Sequence, residues 1–331
     1  MNCSQILKNG NNCKHSATSQ INDIYYCTRH YNIIIKTNQE NQETQENKTP
    51  TAYNTEIEIP NIGLDIKMSE FINNGTYLSV YKILLNDKYY ALKIQNLENN
   101  QKNVIYYEYI LLSQHFNDSN FIIKLYDGRT SYYYKNNIYG ILITELMYET
   151  LYDKKNRYNF NIQEIKEIGI QLINSMKYIH NKKYLYIDLK PDNIMFINEK
   201  DNNIKLIDFN CCSKYINHMS EFYENKLLKN PTGNFIYSSI NINKSYSGVR
   251  IDDIESIIWV ILYLLECDII NDITNAKTKL SLIKLKEKFI KDNNYECNFI
   301  KEFINELKKY SHPTNINNKR PDYQKFIDIL T

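Results

Sequence analysis

The sequence predicts an α+β protein in which a small strand-rich lobe precedes a larger helical lobe, with a short cysteine-bearing segment in front. Three observations carry that reading. Between Tyr77 and Glu145, β-branched and aromatic runs are broken by turn signals. Beyond Thr150, apolar residues recur at spacings of three and four. Lys36–Thr51 is a polar stretch without apolar periodicity. A single core stops growing near roughly 250–300 residues, so 331 residues allow one two-lobed domain plus extras.

The elements follow in order. Residues 1–35 hold Cys3, Cys13, Cys27, His15 and His30 in a short space, and residues 36–52 read as a flexible linker. Residues 53–331 form the main domain, its lobes meeting near residues 146 and 147. Tyr77–Leu85 and Lys88–Gln95 are strands joined by the Asn86-Asp87 turn. Val104–Gln114 is helical and Ile138–Glu145 is a strand. Ile165, Ile168, Leu172, Met176 and Ile179 make Ile162–His180 an amphipathic helix. Ile194–Ile197 and Ile204–Ile207 form a second hairpin. Ile254–Leu265 is apolar nearly all round, which places it in the domain centre.

Composition excludes several classes. Lys+Arg 40 against Asp+Glu 38 gives a formal charge of +2, no footprint for nucleic acid or an anionic membrane. Met1–Gly10 lacks the apolar stretch of an export signal, and Ile257–Leu265 falls far short of the roughly 20 residues that span a bilayer. Seven cysteines, two adjacent at Cys211 and Cys212, point to a reducing, cytoplasmic compartment with thiols or metal ligands. Heavy use of Asn, Ile, Lys and Tyr reflects A/T-rich codons, so a missing glycine carries little weight.

The strongest chemical signal is Asp188-Leu-Lys190-Pro-Asp-Asn193, followed by Asp208-Phe-Asn210. A hairpin between them brings its ends together, so Asp188, Asn193 and Asp208 converge. Phosphoryl transfer needs such a set: a carboxylate facing the attacking hydroxyl, oxygen ligands for Mg²⁺, and a cation on the transferring phosphate.

This pattern resembles the eukaryotic protein-kinase superfamily. The resemblance implies a bilobal kinase fold using ATP and Mg²⁺, with Asp188 as catalytic base, Lys190 on the γ-phosphate, and Asn193 and Asp208 as Mg²⁺ ligands. Ala91-Leu-Lys93 resembles the Ala-x-Lys that reaches the α- and β-phosphates, with Glu108 as its ion-pair partner; a plain surface bridge is the alternative. Asn73–Val80 stands where the family has its glycine-rich loop, but only Gly75 of three glycines survives. Val80 and Ala91 would flank the nucleotide. The resemblance implies Thr144 as gatekeeper and the backbone of Glu145 and Met147 as the adenine contact; a simple strand end fits as well.

Ser239-Ile-Asn241, Asp252-Asp253-Ile-Glu255-Ser256 and Arg320-Pro-Asp322-Tyr323 resemble the casein kinase I and vaccinia-related kinase branch. There, Asp253 would anchor the catalytic loop, and the base bias points to a large DNA virus. Lys190 implies transfer to Ser or Thr of protein substrates. Tyr186-Ile187 replaces the family's His-Arg, Asn210 its Gly, and Asn234 its Thr. Losing the Arg predicts activity independent of activation-loop phosphorylation; together the changes also fit a catalytically impaired scaffold. Asn210 is expected in left-handed geometry. Finally, Cys3, Cys13, Cys27 and His30 resemble small viral and phage zinc knuckles, with His15 as an alternative ligand and free thiols as the alternative reading. The partner of that segment is left open.

Overall fold

The computed structural model describes residues 19–21, 24–26, 67–74, 78–97, 103–134, 137–229, 232–293, 295, 297–310 and 319–331. It divides into two compact units, Met1–Ile59 and Pro60–Thr331. In the first, β1 (Ser19–Ile21) and β2 (Ile24–Tyr26) form an antiparallel hairpin with Ser19 opposite Tyr26.

The second unit begins with a five-stranded antiparallel sheet in the order β3-β4-β5-β7-β6. Its strands are β3 (Lys67–Asn74), β4 (Ser79–Leu85), β5 (Lys88–Asn96), β6 (Leu125–Tyr134) and β7 (Asn137–Glu145). Asn86 and Asp87 both take positive φ (48° and 58°), the left-handed pair that a two-residue hairpin requires. Alternation on β4 buries Tyr81, Ile83 and Leu85. Helix α1 (Val104–Ile110) lies against this sheet and runs into a π-helical turn, Leu111–His115, so the helical stretch read from sequence changes its winding halfway. Its exposed N–H groups are capped twice: Asn103 Oδ1 accepts from Tyr106 N at 2.8 Å, and the buried Gln95 Oε1 accepts from Val104 N at 3.0 Å.

The helical lobe follows: β8 (Glu149–Thr150), α2 (Leu151–Arg157), α3 (Ile162–Asn181), β9 (Tyr184–Leu185), β10 (Ile194–Phe196), β11 (Ile204–Leu206) and β12 (Ser213–Lys214). Then come α4 (Ile240–Asn243), α5 (Arg250–Leu264), α6 (Asp268–Thr274), α7 (Lys279–Asp292), α8 (Asn298–Lys308) and α9 (Tyr323–Leu330). A reciprocal cap between Asn161 and Glu164 starts α3. The α3 face carrying Ile165, Ile168, Leu172, Met176 and Ile179 is buried, each such side chain contributing about 1.5–3 kcal/mol. Helix α5 is buried on nearly every side, Trp259 included. Gly169 permits the close crossing of α3 with α5 and α9, since a Cβ there would sit 2.7 Å from Leu330 Cδ1 and 3.1 Å from Ile261 Cδ1. No described helix is long and apolar enough to cross a membrane.

Candidate active site

The loop between β9 and β10 is held from behind. Asp253, near the start of α5, accepts from the backbone N–H of Tyr186 (2.9 Å) and Ile187 (2.8 Å). The same carboxylate meets His180 Nε2 at 2.8 Å, and His180 Nδ1 meets Tyr323 Oη at 2.8 Å. Tyr323 is thereby linked to the loop, and His180 is a structural hydrogen-bonder. Ile187 adopts φ 72°, a costly conformation for a β-branched residue. Its side chain packs with Leu185, Tyr215 and Ile242 in a separate apolar cluster.

From this loop Asp188, only 8% exposed, presents its carboxylate to three donors. Lys190 Nζ lies 3.0 Å from Oδ2, Asn193 Nδ2 3.2 Å from Oδ2, and Asn234 Nδ2 3.2 Å from Oδ1. Asn193 Nδ2 also donates to the Asp188 carbonyl at 2.9 Å, and Asn234 Nδ2 to the Leu189 carbonyl at 3.0 Å. Burial works against the Lys190 charge, but Asp188, Asp208 and Asp192 outweigh it and hold the ammonium above its usual range.

The β10–β11 hairpin returns the chain to the same place, with Ile207 N donating to the Asn193 carbonyl at 3.1 Å. Asp208 follows with φ 57°, so the left-handed residue of this turn is Asp208 and not Asn210 as expected. Asn210 serves differently: its backbone N–H (3.2 Å) and side-chain amide (2.8 Å) both donate to Asp208 Oδ1. Tyr186 Oη donates to the Ile207 carbonyl. Phe209 is fully buried between Phe116 and Tyr186, at ring distances of 5.4 and 5.6 Å.

Lys93 on β5 and Glu108 on α1 form a buried ion pair, Nζ reaching Oε1 at 2.7 Å and Oε2 at 3.0 Å. A surface bridge is therefore ruled out. Burial opposes the Lys93 charge, yet Glu108 and Asp208 outweigh it and raise its pKa. Burial also pushes Glu108 up, with Lys93 pulling the other way and Asp208 adding to the push. Asp208 thus acts electrostatically on Lys93, Glu108 and Lys190 alike.

The strand register sets the remaining positions. Val80 lies opposite Lys93, and Ala91 opposite the fully buried Thr144. Gly75 lies outside the described residues. Glu145 N–H donates to the Lys124 carbonyl (3.0 Å), and the Glu145 carbonyl accepts from Thr144 Oγ1 at 3.3 Å; Met147, two residues on, is buried. Sequence reading missed Lys205, a buried cation on β11 that pairs with the Glu145 carboxylate, which also accepts from Lys124 N at 2.7 Å. A lysine between Ile204 and Leu206 in a buried strand was the available signal.

The donor set suits Mg²⁺. Asp208 Oδ2 and Asn193 Oδ1 are hard oxygen atoms without a hydrogen bond from the described residues, and Mg²⁺ takes one or two such protein oxygens beside phosphates. Among the described residues, no cluster of three or more His, Cys, Asp or Glu side chains could hold a metal ion. Cys3, Cys13, His15, Cys27 and His30 lie outside them. Cys212 is a buried thiol and Cys211 is half-buried.

A family model described as "Protein kinase domain" matches residues 66–252, more than half of the chain. The fold is similar to that in "Structure of vaccinia related kinase 3", with TM-score 0.62 and 12% identity, over 82% of this chain and 87% of that one.

Proposed function

The chain belongs to the protein kinase domain family, and from that premise we propose that it is an active serine/threonine protein kinase moving the γ-phosphate of ATP to protein hydroxyls. The observation that carries the proposal is the convergence on Asp188: a buried carboxylate held by Lys190, Asn193 and Asn234, beside Asp208 and the Lys93–Glu108 pair. Asp188 orients the substrate hydroxyl and takes its proton. Lys190 and Lys93 neutralise phosphate charge, and Glu108 fixes where Lys93 points. Asn193 and Asp208 would hold Mg²⁺, which supplies charge neutralisation on the phosphates when bound. Thr144, Glu145 and Met147 supply the adenine side, by the family resemblance. Lys190 supports Ser/Thr over Tyr by the same resemblance.

A second reading, an impaired kinase fold serving as a scaffold, is favoured by one feature: Asn210 already occupies Asp208 Oδ1 with two donors. Phosphate transfer from labelled ATP to casein, or to the chain itself, separates the two. With Mg²⁺ present, wild type transfers label and Asp188→Ala loses about 10²–10⁴-fold. Equal transfer by both proteins rejects the enzyme assignment, and Mg²⁺-dependent thermal stabilisation by ATP without transfer supports the scaffold.

The zinc reading of Cys3, Cys13, Cys27 and His30 is carried by sequence, with β2 ending one residue before Cys27. Metal analysis of the full chain against Cys27→Ser tests it: about one zinc per chain, lost in the variant, supports it.

A further inference from the structure

Beyond its packing on the sheet, helix α1 reaches the site through two consecutive side chains. Glu108 takes the Lys93 ammonium, and Tyr107 Oη donates to the backbone carbonyl of Cys212 at 2.6 Å, a contact between residues 105 apart in sequence. Cys212 stands at a junction: its own N–H donates to the Phe209 carbonyl at 3.1 Å, and the chain passes from it into β12, which pairs with β9 at Ser213 and Leu185. One phenol therefore ties the helix that carries Glu108 to the turn that carries Asp208. Burial, with Cys212, Tyr184 and Cys211 nearby, holds the Tyr107 hydroxyl above its usual range, so it stays a donor at neutral pH.

We propose that Tyr107 is a positioning residue that keeps α1 docked against the Asp208 turn and thereby keeps Glu108 on Lys93. The inference rests on the kinase reading above and deepens it. On the far side of the same segment, Ile187 packs with Leu185, Tyr215 and Ile242, so the backbone that Tyr107 grips is itself anchored in an apolar cluster. Removing one hydroxyl leaves the buried Cys212 carbonyl without that donor and takes away the tie between the middle of α1 and the Asp208 turn.

The test is a double-mutant cycle on the full chain. Tyr107→Phe keeps the ring and lowers kcat for casein phosphorylation about tenfold, the size of one lost hydrogen bond. In a Glu108→Gln background, the same change lowers residual kcat less than about twofold, because the pair it protects is already broken. A full tenfold loss in both backgrounds, or no loss in the first, overturns the proposal. Hydrogen exchange of the α1 amides is the readout that needs no catalysis. Tyr107→Phe speeds exchange over residues 104–110 and leaves α3 unchanged. Unaltered α1 exchange overturns the proposal, whereas faster exchange in a protein that transfers no phosphate supports the docking role and counts only against the kinase reading.

Discussion

Deleting the Glu108 carboxylate leaves a buried charge alone. Lys93 is 9% exposed and Glu108 is fully buried, with both carboxylate oxygens taken by the one ammonium. Removing one partner of such a pair costs about 3–5 kcal/mol, because the survivor keeps its desolvation penalty. Asp208 still attracts Lys93, which places Glu108→Ala toward the lower end. At roughly 2–4 °C for each kcal/mol, the melting midpoint falls by roughly 6–12 °C. The double variant Lys93→Met/Glu108→Leu removes both charges at similar volume, and a well-packed apolar pair is often as stable as the ion pair it replaces. Its midpoint therefore recovers most of the loss. Activity does not recover, since a cation at the phosphates is still missing; transfer to casein stays at least about 10²-fold below wild type in both variants. Differential scanning fluorimetry and phosphate transfer on the same samples check both halves. A double variant that melts no higher than Glu108→Ala refutes the desolvation argument. Glu108→Ala at wild-type rate refutes the link from Glu108 to Lys93.

Phosphatase treatment leaves activity unchanged, because Ile187, packed in its apolar cluster, stands where the resemblance puts the arginine and the nearby Arg250 already faces the Tyr215 and Phe222 rings; abolished activity contradicts this. Ile187→Arg forces a cation into that cluster and lowers the melting midpoint, by an amount of order 1–3 kcal/mol in urea titration. Burial pulls the Lys286 pKa down from 10.5 to about 7, against the attraction of Glu255. Between those values the unfolded chain binds the extra proton, so stability rises with pH from about 7 toward 10, by at most about 1.4 kcal/mol per unit. Urea midpoints of wild type against Lys286→Met over pH 7–9.5 read this, the variant showing a flatter rise. Gly169→Ala costs about 1–3 kcal/mol through overpacking against Leu330 and Ile261, and the compensating Leu330→Val recovers part of it.

Legibility in the sequence followed locality. The β4–β5 hairpin could be read because Asn86-Asp87 states its turn chemistry within two residues, and α3 because its apolar stripe repeats over about four turns. The edge strands β3 and β6 were not read. Each has one strand neighbour, so the apolar pattern is diluted, as with Asp127, Gly128 and Arg129 inside Leu125–Tyr134. At the site, Asp188, Lys190, Asn193 and Asp208 were legible as a spaced cluster around one hairpin, and Asn234 as a change of amide for hydroxyl. Lys205 and Tyr107 were not, since their contacts close loops of 60 and 105 residues and nothing local marks them. The left-handed turn at Asp208 was misplaced for a related reason. Asn210 has the propensity, but its amide is spent on Asp208 Oδ1, and the strained position goes to the residue whose carboxylate must face inward.

The structure shows how the segment Lys214–Leu228 is ordered. Tyr223 N donates to the Tyr215 carbonyl and Asn217 N to the Glu221 carbonyl, both at 2.9 Å, closing a small loop. The Arg250 guanidinium lies 5.0 Å from the Tyr215 ring and 5.5 Å from Phe222, with the two rings stacked. Further along, Leu228 N bonds the Ser245 carbonyl and Ser247 N the Lys226 carbonyl, each at 2.8 Å. The segment after Asp208 is thus fixed by an apolar cluster, a cation over aromatic rings, and backbone pairing. These ties order the segment through packing, a cation over aromatic rings and main-chain hydrogen bonds. Ile187 thus has its own supporting residues, and Asp253 holds its N–H and that of Tyr186 from the other side, so the chain enters Asp188 from a fixed backbone.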